Sequence, residues 1–161
     1  IDRASEGLQA AGCPAALVEV GGDVRCFERR DGADPWIIEV RDPFDPARRL
    51  DVLAVTSGAV CTSGNYARYV EIDGQRYSHI VDPRTGRPAD RVPSVTVCAP
   101  TATVADAWAT ALSVLGPAGL KTLPEGVDAM LVVGTPEHYE VHCTKGYRRL
   151  RAALGTGAAE E

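Results

Sequence analysis

Tyr69-Val70-Glu71-Ile72-Asp73-Gly74-Gln75-Arg76-Tyr77-Ser78 is the stretch from which the fold is read. Two short strand-like runs flank Asp73-Gly74, and an Asp-Gly pair there favours a type I′ turn, whose central residues both need φ > 0. A hairpin of this kind makes its two strands antiparallel. Working outward, the same grammar recurs. Ala15 to Val20 is turned by Gly21-Gly22-Asp23 into a strand from Val24 to Glu28. Trp36 to Arg41 follows a loop from Arg30 to Pro35, and Leu50 to Thr56 follows the Pro43 to Pro46 loop. Ser94 to Ala99 is a further strand, and Ala129 to Val133 with Tyr139 to Cys143 reads as a closing hairpin.

Helices are interspersed. Pro100 to Gly116 is the clearest, with a Thr cap and a terminal glycine, and Pro117 to Leu123 is expected to form a short second one. Asp82 to Pro93 holds three prolines and a glycine and is expected to lack regular structure. Strands joined by short turns, with helices packed on them, predict an α+β fold with a mostly antiparallel sheet. Ile1, Ala4, Leu8 and Ala11 form a helical stripe closed by Gly12 and already running at residue 1. We therefore expect a chain that starts inside or just before a helix, with the N-terminal part of its fold missing. Residues 1–154 are read as one domain and 155–161 as a disordered tail.

Composition narrows the function classes. The chain has 161 residues, 45% hydrophobic and 24% charged, with a net charge of −5. That balance argues against a nucleic-acid partner, whose phosphates need clustered cations. Arg148, Arg149 and Arg151 are read as a solvated chain end. Any aromatic stacking would rest on Tyr66, Tyr69 or Tyr77. Five widely spaced cysteines without a C-x-x-C pair indicate neither a disulfide framework nor a zinc site. By themselves they favour a reducing, cytoplasmic compartment. No G-x-G-x-x-G and no G-x-x-x-x-G-K-[ST] is present.

The chemistry concentrates between His79 and Thr110. Ser78-His79-Ile80-Val81-Asp82-Pro83-Arg84-Thr85-Gly86-Arg87-Pro88 puts a histidine, a carboxylate, an arginine and a hydroxyl where a strand stops at a proline. His79 suits general base work and Arg84 suits a phosphate oxygen. The same residues also spell a turn capped by Asp82, with a structural histidine before it. Downstream, Asp106 and Thr110 stand at i and i+4 of the helix, one carboxylate and one hydroxyl on a single face. That pair suits Mg²⁺, which takes few protein oxygens and keeps water and phosphate ligands. Equally, Asp106 reads as the third residue of a capping box begun by Thr103, with Thr110 bonding back one turn. Val55 to Tyr66 repeats hydroxyl-glycine pairs and reads either as a backbone cradle or as a bulged strand. His138 and His142 are read as structural.

Taken in order, Leu17 to Arg25, Pro35-Trp36, Thr62-Ser63-Gly64-Asn65-Tyr66, Ser78 to Pro88 and Ala105-Asp106-Ala107-Trp108-Ala109-Thr110-Ala111-Leu112 resemble the ApbE-type FAD:protein FMN transferases. The resemblance implies a T-fold-like ApbE domain and Mg²⁺-dependent transfer of FMN from FAD to a Thr or Ser of an acceptor flavoprotein, releasing AMP. By position it implies Asp106 and Thr110 as metal ligands and His79 as the catalytic residue. His79, Ile80, Asp82, Arg84 and Thr85 would belong to the FAD site. It further implies a missing N-terminal half that completes the pocket, and membrane anchoring on the extracytoplasmic side through a segment outside this sequence. A Mg²⁺-dependent FAD pyrophosphatase and a non-catalytic flavin-binding module remain the alternatives.

Overall fold

The computed structural model describes residues 1–28, 34–64 and 69–152, without the side chains of Tyr69, Ile72, Gln75 and Arg76. Asn65 and Tyr66 of the hydroxyl-glycine segment, part of the Arg30 to Pro35 loop, and the expected tail 155–161 lie outside the described residues.

Helix α1 (Asp2–Ala10) leads into a six-stranded antiparallel sheet. Its spatial order is β1 (Ala15–Val20), β2 (Asp23–Glu28), β5 (Gly58–Gly64), β10 (Ser94–Ala99), β11 (Asp128–Thr135) and β12 (His138–Cys143). Between β2 and β5 the chain makes the antiparallel pair β3 (Trp36–Arg41) and β4 (Arg49–Val55). The hairpin β6 (Tyr69–Ile72) and β7 (Gln75–Ser78) turns at Asp73 and Gly74, with φ of 51° and 75°. These are the left-handed values a type I′ turn requires.

Period-two alternation along the central strands builds two cores. Ala59 and Cys61, Val95 and Val97, and Ala129 and Leu131 meet helix α2 (Ala102–Leu115) through Ala102, Ala105, Ala109 and Leu112. Val60, Cys98 and Met130, in between, face Ile38, Val40, Leu53 and Val55 of the β3–β4 pair and Tyr147 of α3 (Lys145–Leu150). Every residue of β10 is buried, because both its faces are covered. The result is a helix, a sheet, and a smaller strand layer, as the α+β reading predicts.

Several local expectations change. The Pro117 to Leu123 helix is a 3₁₀ segment at Gly116–Thr122. The Asp82 to Pro93 stretch is not wholly irregular: β8 (Val81–Asp82) pairs with β9 (Arg87–Pro88) in a miniature hairpin. Pro88 is tolerated because it is at an edge, where no donor is needed. The C-terminal arginines do not all float in solvent. Thr144 caps α3 by accepting the Tyr147 N–H (3.2 Å), and Arg151 Nε donates to Asp51 Oδ2 at 2.6 Å. A buried Tyr147 on that short helix anchors the segment to the second core.

Helix α1 also turns differently from its apolar stripe. Leu8 is 39% exposed, while Ser5 is fully buried. Asp2 and Ser5 share a helical face, and it is this face that points inward. Gly12 ends the helix as expected, its N–H bonding to Gln9 O and that of Cys13 to Leu8 O (3.1 and 3.0 Å). All five cysteines are free, and burial pushes the Cys26 thiol up to about 11 and Cys98 to about 12. No helix among the described residues is long and apolar enough to cross a membrane.

Candidate functional site

The loop after β7 is held by its own polar groups. The Ser78 N–H donates to Asp90 Oδ1 (3.0 Å), and Ile80 N–H to Ser78 Oγ (3.1 Å). Ala89 N–H closes on Ile80 O at 2.8 Å, leaving Ile80 buried and His79 exposed beside it. Asp82 then organises the turn. Its Oδ1 accepts the Arg84 N–H (2.9 Å) and Nε (2.9 Å), and its Oδ2 accepts Nη2 (2.8 Å). These bonds hold the Asp82 carboxyl below its ordinary range and the Arg84 guanidinium above its own. Thr85 Oγ1 accepts the Arg87 N–H at 3.3 Å. Asp82 and Thr85 are thus turn-builders, as the turn reading has it. Arg84 spends two of its five donors on Asp82 and stays 64% exposed.

Helix α2 removes the capping-box reading of Asp106. The N-cap is Thr101, not Thr103: its Oγ1 accepts the Val104 N–H at 3.3 Å. Asp106 is therefore the fifth helical residue, beyond the third position that a capping box needs. Thr103 has another partner, donating Oγ1 to Asp2 Oδ2 at 2.6 Å. The hydroxyl that bonds back one turn is Ser113, to Ala109 O at 2.9 Å. Thr110 Oγ1 instead meets Ser63 Oγ of β5 at 3.4 Å. Asp106 and Thr110 both stay exposed, one turn apart.

The loop and the helix enclose a groove of about 650 Å³. His79, Ile80 and Arg84 line one wall; Thr110 with Ala107, Ala111, Val114 and Leu115 lines the other. A second cavity, of about 750 Å³, lies along the β8–β9 hairpin and shares Arg84, Val114 and Leu115 with the first. Asp82 and Thr85 line this second cavity, so the predicted site residues are not all in one place. Asp106 lines neither cavity and stands one turn before Thr110 on the helix.

Asp106 contributes to a field. Burial raises the neighbouring Cys61 thiol most, followed by the charge and hydrogen bond of Asp23 and the charges of Asp106 and Asp2. The exposed Asp106 carboxylate and Thr110 hydroxyl are hard oxygen donors, the kind a divalent cation such as Mg²⁺ takes. No group of three His, Cys, Asp or Glu stands together among the described residues.

Sequence reasoning gave no individual role to Ser63, Asp23 or Asp2. Asp23 Oδ1 accepts the Thr62 N–H at 3.2 Å, and Asp2 holds the start of α2. The hydroxyl-glycine repeat signalled Ser63. No local pattern pointed to the two aspartates, whose partners are distant in sequence.

The chain matches the model of the ApbE family over residues 1–131. It belongs to the ApbE family. Within that family, the FAD:protein FMN transferase of Escherichia coli K12 is 40% identical over 118 residues, covering 72% of this chain and 34% of that protein. The Vibrio cholerae enzyme of the same name is 35% identical over 153 residues, covering 92% and 46%. Among solved structures, the ApbE protein of Thermotoga maritima superposes with a TM-score of 0.81 at 35% identity, covering 94% of this chain and 50% of that one. The flavin transferase ApbE of Vibrio cholerae gives 0.73 at 32% identity, covering 93% and 48%. The chain thus spans a third to a half of the length of these ApbE relatives, and its antiparallel sheet is theirs.

Proposed function

We propose that the protein to which this chain belongs transfers FMN from FAD to a Thr or Ser hydroxyl of an acceptor flavoprotein, with Mg²⁺, releasing AMP. One observation carries the reading: His79, Ile80, Arg84 and Thr110, from two separate segments, line a single groove beside a carboxylate that no cap occupies.

Asp106 and Thr110 would hold Mg²⁺, which would supply charge neutralisation at the phosphate oxygens. This chain's residues supply the rest. Ser63 orients the Thr110 hydroxyl. Ile80, Ala107, Ala111 and Val114 give an apolar surface for a ring system. The open part of the Arg84 guanidinium holds a phosphate oxygen while Asp82 keeps its fork in place. His79, exposed at the groove, takes the proton of the acceptor hydroxyl as it attacks the phosphorus proximal to riboflavin.

The test uses the intact protein with FAD, Mg²⁺ and an acceptor carrying the target residue. Mass spectrometry should find one FMN on the acceptor, and Asp106→Ala should abolish it. An unmodified acceptor sinks the proposal. Free FMN and AMP formed rapidly without acceptor would instead identify a pyrophosphatase.

A further inference from the structure

We infer that Asp2 is a positioning residue for the cation site, clamping the start of α2 to the sheet so that Asp106 and Thr110 stand correctly against Ser63. The inference rests on the flavin-transfer reading for what the site binds, and on geometry for the clamp itself.

Asp2 lies a hundred residues from its partners. Its Oδ1 accepts the Ala102 N–H at 2.9 Å, and its Oδ2 accepts both the N–H (2.9 Å) and the Oγ1 (2.6 Å) of Thr103. Arg25 of β2 donates Nη1 to the same Oδ1, and both charged side chains are about five-sixths buried, at 15% and 16% exposure. With Thr101 accepting from Val104 through its side chain and from Ala105 through its carbonyl, all four N–H groups of the first turn have partners.

A helix that already has a threonine cap does not need a carboxylate merely to begin. What Asp2 adds is attachment. Arg25 belongs to β2, which pairs with β5 at Arg25↔Ala59, and the same β5 carries Ser63. The path Asp2–Arg25–β2–β5 therefore fixes the helix origin relative to the strand that meets Thr110 two turns later. The clamp also sets the roll of α1, whose buried face is the one bearing Asp2 and Ser5 rather than its apolar stripe.

The experiment compares the intact wild-type protein with Asp2→Asn and Asp2→Glu. Asn keeps the size and one acceptor but loses the charge, the Arg25 pair and the second acceptor. Mg²⁺ binding by calorimetry should weaken about 10-fold in Asp2→Asn, the scale of an outer-shell metal partner. The FAD KM should stay near wild type, and Asp2→Glu should recover part of the loss. Hydrogen exchange at the Asp106 and Thr110 amides should quicken in Asp2→Asn. A lower melting temperature with unchanged Mg²⁺ affinity would overturn the inference and leave Asp2 a stability residue. A wild type that binds no Mg²⁺ sinks the flavin-transfer reading instead; unchanged amide exchange in Asp2→Asn then refutes the clamp as well, and faster exchange upholds it.

Discussion

The two walls of the groove are held by opposite means. Helix α2 is fixed from afar, by a buried face of Ala105, Ala109 and Leu112 and by an aspartate a hundred residues earlier. The His79 to Arg87 loop is fixed from within, by bonds among residues two to twelve positions apart, mostly at the surface. Damage anywhere in the main core should therefore reach Thr110, whereas the loop should keep its shape through damage elsewhere.

The largest expected effect tests the first half of that contrast. Leu112 is fully buried, so Leu112→Ala should cost about 2–5 kcal/mol in chemical denaturation, by lost transfer energy plus a cavity. Flavin transfer should fall with it. A loss under about 1 kcal/mol would mean that α2 is not a tightly packed wall.

Thr101→Ala probes the same helix more gently. About 1 kcal/mol is expected, since Asp2 still holds the neighbouring amides. Acid probes the clamp on the helix wall. Although burial opposes its charge, the Thr103 hydroxyl and amide, the Ala102 amide and Arg25 hold the Asp2 carboxyl far below its ordinary pKa. A depressed carboxylate contributes stability that is complete above its unfolded value, about 4, and is lost as pH falls toward the folded one. Denaturation midpoints followed from neutral to strongly acidic pH should show this loss in the wild type and a flatter curve in Asp2→Asn.

The smallest effect belongs to the loop. The Asp82–Arg84 pair is exposed to water and screened, so Arg84→Gln should leave the thermal midpoint unmoved while raising the KM for FAD. A marked drop in midpoint would erase the distinction between the walls.

Legibility followed the same division. The Asp73-Gly74 hairpin, the strand from Ser94, and the Asp82 turn depend on residues a few positions apart, and each is where local pattern puts it. The loop-and-helix pairing that makes the candidate site was visible as two motifs, each with an adequate structural alternative. What could not be read was which threonine caps α2, because Thr101 and Thr103 are equally good caps in isolation. Asp2 takes Thr103 out of contention, and with it the capping-box explanation of Asp106. The anchoring of Arg151 was not legible for a like reason, since it finds Asp51 across a hundred positions, while Arg148 and Arg149 stay exposed as read.

By itself, the sequence determined most of the strands and turns, the antiparallel class and the two motifs that mark the family, but not the β8–β9 pair. These rest on backbone preferences and on periodicities shorter than a helical turn or two. Only the tertiary structure decided which polar groups remain available for chemistry. Hydrogen-bond donors and acceptors are satisfied by whatever is nearest in space, and here the nearest partners of Thr103, Thr110 and Arg151 come from other strands and helices.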